Sequence, residues 1–116
     1  MVEILQPQET GSAFPNPELL GPDECIAVVD DSPEIILLLS HYLGTQGFPV
    51  VRAGNANEFH HLLATRKIAL ALLDIELPDQ NGNEILKDIV PKYPHLGIIM
   101  VTGTTDIQVA LECLRH

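Results

Sequence analysis

The chain has 116 residues, room for one domain and not for two. Sixteen acids face six bases, and the formal net charge of -10 disfavours direct nucleic-acid binding, which needs Lys and Arg to displace phosphate counterions, and suits a protein that holds a cation. The two cysteines, Cys25 and Cys113, argue against a disulfide scaffold or a zinc site, and no basic leader or bilayer-length apolar run is present. The reading is a soluble cytoplasmic protein with reduced, partly buried thiols and no membrane contact.

Residues 1–24 carry Pro7, Pro15, Pro17 and Pro22, together with Gly11, Gly21 and several acids but no base. They read as an acidic, mostly irregular tail that contributes little to stability. Cys25 to Asp30 is then a short apolar run rich in β-branched residues, a buried strand. Ser32-Pro33 supplies an N-cap and a proline at the first helical position. The helix that follows puts Ile35, Leu38, Leu39, Tyr42 and Leu43 on one side and stops near Gly47.

Pro49 to Ala53 is a second strand, and its leading proline suits a sheet edge. Asn55 and Glu58 form a capping-box pattern ahead of a helix with Phe59, Leu62 and Leu63 inward. Ile68 to Asp74 is apolar on both faces and reads as a central strand. The loop Leu77 to Gly82 is dense in turn residues. A third helix carries Ile85, Leu86, Ile89 and Val90, and Pro91 ends or kinks it. Gly97 to Thr102 is a fourth strand. A last helix from about Asp106 to Arg115 has Ile107, Ala110, Leu111 and Leu114 on one stripe. Four βα units with short connections predict an α/β fold, a doubly wound parallel sheet with helices on both faces.

Ligands of open parallel sheets bind beyond the carboxyl ends of the strands. Three strands end there in Asp30-Asp31, Asp74 and Thr102. Two carboxylates about 4 Å apart repel by ~1 kcal/mol in water and ~4 at an effective dielectric of about 20, so the cluster is a liability without a cation. A hard ion such as magnesium suits an all-oxygen donor set, and manganese can replace it. Asp74, closing the most hydrophobic strand, has the chemistry of a nucleophile that forms an aspartyl phosphate, with the Thr102 hydroxyl as a donor to a phosphoryl oxygen.

From Cys25 onward the chain resembles the receiver domain of bacterial two-component response regulators, with their flavodoxin-like topology. The matching residues are Val28-Val-Asp-Asp31-Ser-Pro33, Leu73-Asp74-Ile-Glu-Leu-Pro78-Asp-Gln-Asn-Gly82 and Ile99-Met-Val-Thr102-Gly103. The resemblance implies phosphorylation at Asp74 by a sensor histidine kinase or phosphotransfer protein, the chain catalysing only its own phosphorylation and slow dephosphorylation. It implies Asp31 as a direct magnesium ligand, Asp30 in the same pocket largely through water, and the Glu76 backbone carbonyl as a third protein ligand. Thr102 becomes the switch hydroxyl, Gly103 leaves room for its movement, and Pro78 and Gly82 shape the loop.

The family continues through a fifth strand ending in Lys-Pro and a fifth helix. Here fourteen residues follow Thr102, none is Lys, and Lys87 and Lys92 lie on the third helix. Residues 25–116 therefore read as a receiver domain incomplete at its C-terminus. The strand from Gly97 to Thr102 then becomes an apolar edge open to self-association. Two alternatives accompany the phosphoacceptor switch. One is a receiver-like interaction module that takes no phosphate. The other is an aspartyl-phosphate phosphohydrolase, in which Glu76 would occupy the position of a second catalytic Asp. His60 and His61 are adjacent, point in different directions on a helix, and read as solvated.

Overall fold

The computed structural model describes residues 2–5, 21 and 23–101. Its elements are β1 (Val2–Leu5), β2 (Glu24–Val29), α1 (Pro33–Thr45), β3 (Val50–Ala53), α2 (Ala56–Thr65), β4 (Lys67–Asp74), α3 (Gly82–Ile89) and β5 (Gly97–Val101). They build one five-stranded sheet in the order β1-β5-β4-β2-β3. The neighbouring pairs β2–β3, β2–β4 and β4–β5 are all parallel, as the βα repeats predict. The final helix expected over 106–115, with Cys113, lies outside the described residues.

Local signals explain both ends of α1 and the start of α2. The Ser32 Oγ accepts from the Ile35 N–H at the start of α1, with Pro33 as first helical residue. Gly47, at φ +89°, ends that helix: the Gly47 N–H reaches the Gly44 carbonyl, and the Phe48 N–H reaches that of Leu43. This is the paired closure of a Schellman motif, and Phe48 packs on the same core cluster as Leu43. In α2 the Asn55 side chain accepts from the Glu58 N–H, while Glu58 reaches one residue beyond a capping box to the Gly54 N–H.

The sheet separates two apolar layers. On one face Ala27, Val29, Ala71, Leu73, Ile98 and Met100 pack against Phe59 and Leu63 of α2 and Ile85 and Ile89 of α3. On the other, Ile26, Val28, Leu70, Leu72, Ile99 and Val101 meet Leu39 and Leu43 of α1. Alternation along β2, β4 and β5 therefore feeds both layers, which is why these strands read as apolar runs.

Two expectations are corrected. Leu38 is 47% exposed and Leu37 65%, and the buried stripe of α1 is Leu39, Ser40 and Leu43 with Ile35 and Ile36 half-buried. Five consecutive aliphatic residues, Ile35 to Leu39, leave the helical phase undetermined by periodicity. The second correction concerns the tail and the sheet edge. Val2–Leu5 is not irregular: it pairs antiparallel with β5, from Val2↔Val101 to Leu5↔Ile98. The strand from Gly97 is therefore not an open edge. An unpaired row of N–H and C=O groups is costly, and four residues of the same chain satisfy it.

Candidate functional site

The site forms because β2 and β4 are hydrogen-bonded neighbours whose register sets Val29 opposite Leu73. The next residue on each, Asp30 and Asp74, therefore leaves the sheet side by side. Asp30 is 9% exposed, and its N–H donates to the Ala53 carbonyl at 3.1 Å, while its Oδ1 accepts from the Ser32 N–H at 2.9 Å. That second bond turns the chain into the cap of α1 and leaves Asp31 exposed at the mouth. The half-buried Asp74 accepts from the Glu76 N–H at 3.1 Å.

One carboxylate oxygen from each of Asp30, Asp31 and Asp74 lies within 4.8 Å of the others. At that separation each ionised pair repels by ~1 kcal/mol in water and about 3 at an effective dielectric of about 20. Asp74 responds most: burial first, then the charges of Asp30, Asp31 and Glu76, push its pKa up to about 6 against the hydrogen bond from Glu76. Burial also raises Asp30, partly offset by the bond from Ser32 and reinforced by Asp31. Three converging carboxylate oxygens suit a hard divalent cation, and this cluster contains no His or Cys that would favour a softer metal.

The loop after β4 is tightly folded. Leu77 is buried and Pro78 exposed. Glu76 and Asn81 form an isolated antiparallel bridge, and the Gly82 N–H reaches the Ile75 carbonyl at 2.6 Å. A Cβ on Gly82 would sit 2.8 Å from the Ile75 Cα, so only glycine fits where the loop closes. Beside the acids, a groove of about 500 Å³ runs between α1 and β3, lined by Asp30, Asp31, Ile36, Leu37, Arg52 and Glu58 among others.

The structure thus brings Asp30, Asp31 and Asp74 together, with Glu76 hydrogen-bonded to Asp74 and its side chain exposed. Thr102 and Gly103 lie outside the described residues. Lys87 is exposed on α3, and Lys92 falls just beyond its end. His61 is exposed, but His60 is not simply solvated: its Nε2 lies 3.1 Å from the Gln80 Oε1. Cys25 is fully buried, with its Sγ directed to the Lys67 carbonyl and its pKa raised chiefly by burial.

Two loop residues escaped the sequence reading. Asp79 accepts from the Ala56 N–H at 2.8 Å and from the Asn57 N–H at 3.0 Å. Gln80 donates to Asp88 as well as meeting His60. Asp79 stands amid turn residues, where an Asp is ordinarily satisfied locally, so nothing in the sequence pointed to a helix 22 and 23 residues earlier.

The family model described as "Response regulator receiver domain" matches residues 26–116. The chain belongs to the response regulator receiver domain family. Among curated relatives it is 38% identical over 96 residues to the transcriptional regulatory protein AruR of Pseudomonas aeruginosa, covering 76% of this chain and 39% of that protein. It is 30% identical over 90 residues to the regulatory protein AtoC of Escherichia coli, covering 78% and 20%. The receiver domain thus spans well under half the length of these relatives. A solved receiver domain from Methanospirillum hungatei superimposes with a TM-score of 0.67 at 30% identity, over 82% of this chain and 75% of that one. The response regulator TrrA of Thermotoga maritima, solved in complex with Mg2+-BeF, gives 0.61 at 33% identity over 66% and 65%.

Proposed function

We propose that the chain is a phosphoacceptor switch, cytoplasmic like the response regulators it resembles, that takes a phosphoryl group on Asp74 from a histidine kinase or phosphotransfer protein. The observation that carries this reading is the convergence of Asp30, Asp31 and Asp74 within 4.8 Å at the carboxyl ends of adjacent parallel strands. Asp31 and Asp74 would hold magnesium directly, the Glu76 carbonyl would complete the protein ligands, and Asp30 would act largely through water.

Bound magnesium, or manganese in its place, would neutralise charge on the transferred phosphoryl group. An oxygen of the Asp74 carboxylate attacks phosphorus, the bond from phosphorus to the donor nitrogen breaks, and the leaving imidazole keeps that electron pair and takes up a proton. Attack requires the ionised carboxylate, so a pKa of about 6 leaves Asp74 competent at neutral pH. The bond from the Glu76 N–H holds one carboxylate oxygen and leaves the other to react. Thr102, next in sequence after Val101, would donate its hydroxyl to a phosphoryl oxygen.

The test is incubation with a small acyl-phosphate donor and magnesium, borohydride trapping, and mass analysis of the peptides. The expected result is label on Asp74, lost in Asp74→Asn and without EDTA-treated controls acquiring any. Label elsewhere overturns the assignment. No label at all would leave a receiver-fold interaction module that works without phosphate.

A further inference from the structure

We propose that Asp79 is a positioning residue that clamps the loop after β4 to the first turn of α2, and so couples the acidic site to that helix. This rests on the reading of Asp30, Asp31 and Asp74 as a cation and phosphoryl site.

The first four N–H groups of a helix have no partner within it. In α2 those of Ala56, Asn57 and Glu58 find side-chain partners. Glu58 donates to the Asn55 side chain, and the ordinary helical ladder begins with Phe59 donating to the Asn55 carbonyl. Ala56 and Asn57 donate to the two oxygens of Asp79, at 2.8 and 3.0 Å. One of these three bonds is thus local, and two are lent by a distant loop. The Asp79 carboxyl lies below the usual carboxylate range, the bond from Ala56 being the largest cause. It is therefore ionised at working pH and aligned with the positive end of the helix.

The same loop is held at its other points. Leu77 is buried among residues of both helices on that face. Gln80 donates to Asp88 of α3 and meets His60 of α2. Glu76 and Asn81 bridge across the loop, and Gly82 closes it on Ile75. Asp79 lies inside that closed turn, three residues from Glu76, whose N–H is bonded to Asp74. Freeing Asp79 removes the tie to α2 and loosens the turn that sets Glu76 against Asp74. By linkage, whatever orders Glu76 and Asp74 also favours the intact clamp and the ordered start of α2.

Asp79→Ala separates this role from plain helix capping when compared with Asn55→Ala, which removes the one local capping bond and leaves the loop tie intact. Manganese affinity is read by electron paramagnetic resonance, and amide exchange by NMR without metal. In Asp79→Ala we expect faster exchange at Ala56 and Asn57, and also at Glu76 and Gly82, with manganese affinity down about five- to tenfold. Asn55→Ala should speed exchange at Glu58 and leave Gly82 and the metal affinity unchanged. Asp79→Asn, which keeps one acceptor oxygen, should fall between wild type and Asp79→Ala. Wild-type exchange at Gly82 in Asp79→Ala overturns the clamp, as does an equal effect of Asn55→Ala. If the wild-type protein binds no manganese, the cation-site reading fails, and exchange at Glu76 and Gly82 still decides the clamp.

Discussion

Replacing Asp74 by Asn should make the metal-free protein more stable, although it removes the residue on which the proposed function turns. The Asp74 pKa is about 6 when folded, against an ordinary value of 3.8. The folded state therefore binds the proton more tightly than the unfolded chain does. The contribution of Asp74 to stability is most favourable below pH 3.8, declines as pH rises toward 6, and is level above that. A shift of about two units corresponds to about 3 kcal/mol at 1.36 kcal/mol per unit, and partial exposure to solvent reduces this to about 1–2 kcal/mol. Asn keeps an oxygen for the Glu76 N–H and carries no charge against Asp30 and Asp31. In EDTA at pH 7.5, Asp74→Asn should melt about 5 °C above wild type. At pH 5 about half of that gap should remain, because most wild-type molecules are then protonated at Asp74. Magnesium at ten times its dissociation constant should recover about 1.4 kcal/mol for wild type and less for the variant, which lacks a ligand. Thermal melting by circular dichroism reads all three conditions. A variant less stable than wild type in EDTA, or a gap that does not change between pH 5 and pH 7.5, would refute the account of the acidic cluster.

Gly82→Ala should cost about 1–3 kcal/mol in urea unfolding, since the new Cβ would meet the Ile75 backbone at 2.8 Å. Gly44→Ala, in a helix with nothing within 4 Å of the added carbon, should instead gain about 0.5–1 kcal/mol. Equal effects at the two glycines would show that the loop yields. Removing residues 1–5 deletes β1 and should lower the thermal midpoint and produce concentration-dependent association through the bared β5 edge, which light scattering across a dilution series detects; an unchanged monomer would show that the β1–β5 pairing is dispensable. Phe59→Ala, emptying a fully buried aromatic position between α2 and the sheet, should cost about 3–5 kcal/mol by chemical denaturation.

The sequence by itself determined the parallel sheet, its helices and the acidic strand ends. The runs Cys25 to Asp30, Ile68 to Asp74 and Gly97 to Val101 are too apolar for a sheet with one wet face, and each is bounded by turn chemistry. Once β2 and β4 are neighbours, Asp30 and Asp74 must emerge together, because strand polarity and register leave them nowhere else to go. Only the tertiary structure decided the partners that lie far away in the chain. The phase of α1 was settled by which side chains met the sheet, after five aliphatic residues in a row had erased the period. Val2–Leu5 became a strand because β5 offered unpaired backbone groups, a demand invisible in a segment whose average composition reads as a tail. Asp79 found Ala56 and Asn57 because folding set an anion beside two free N–H groups of a helix. Local propensity acts within a few residues, whereas backbone and charge satisfaction is resolved only when distant segments come into contact.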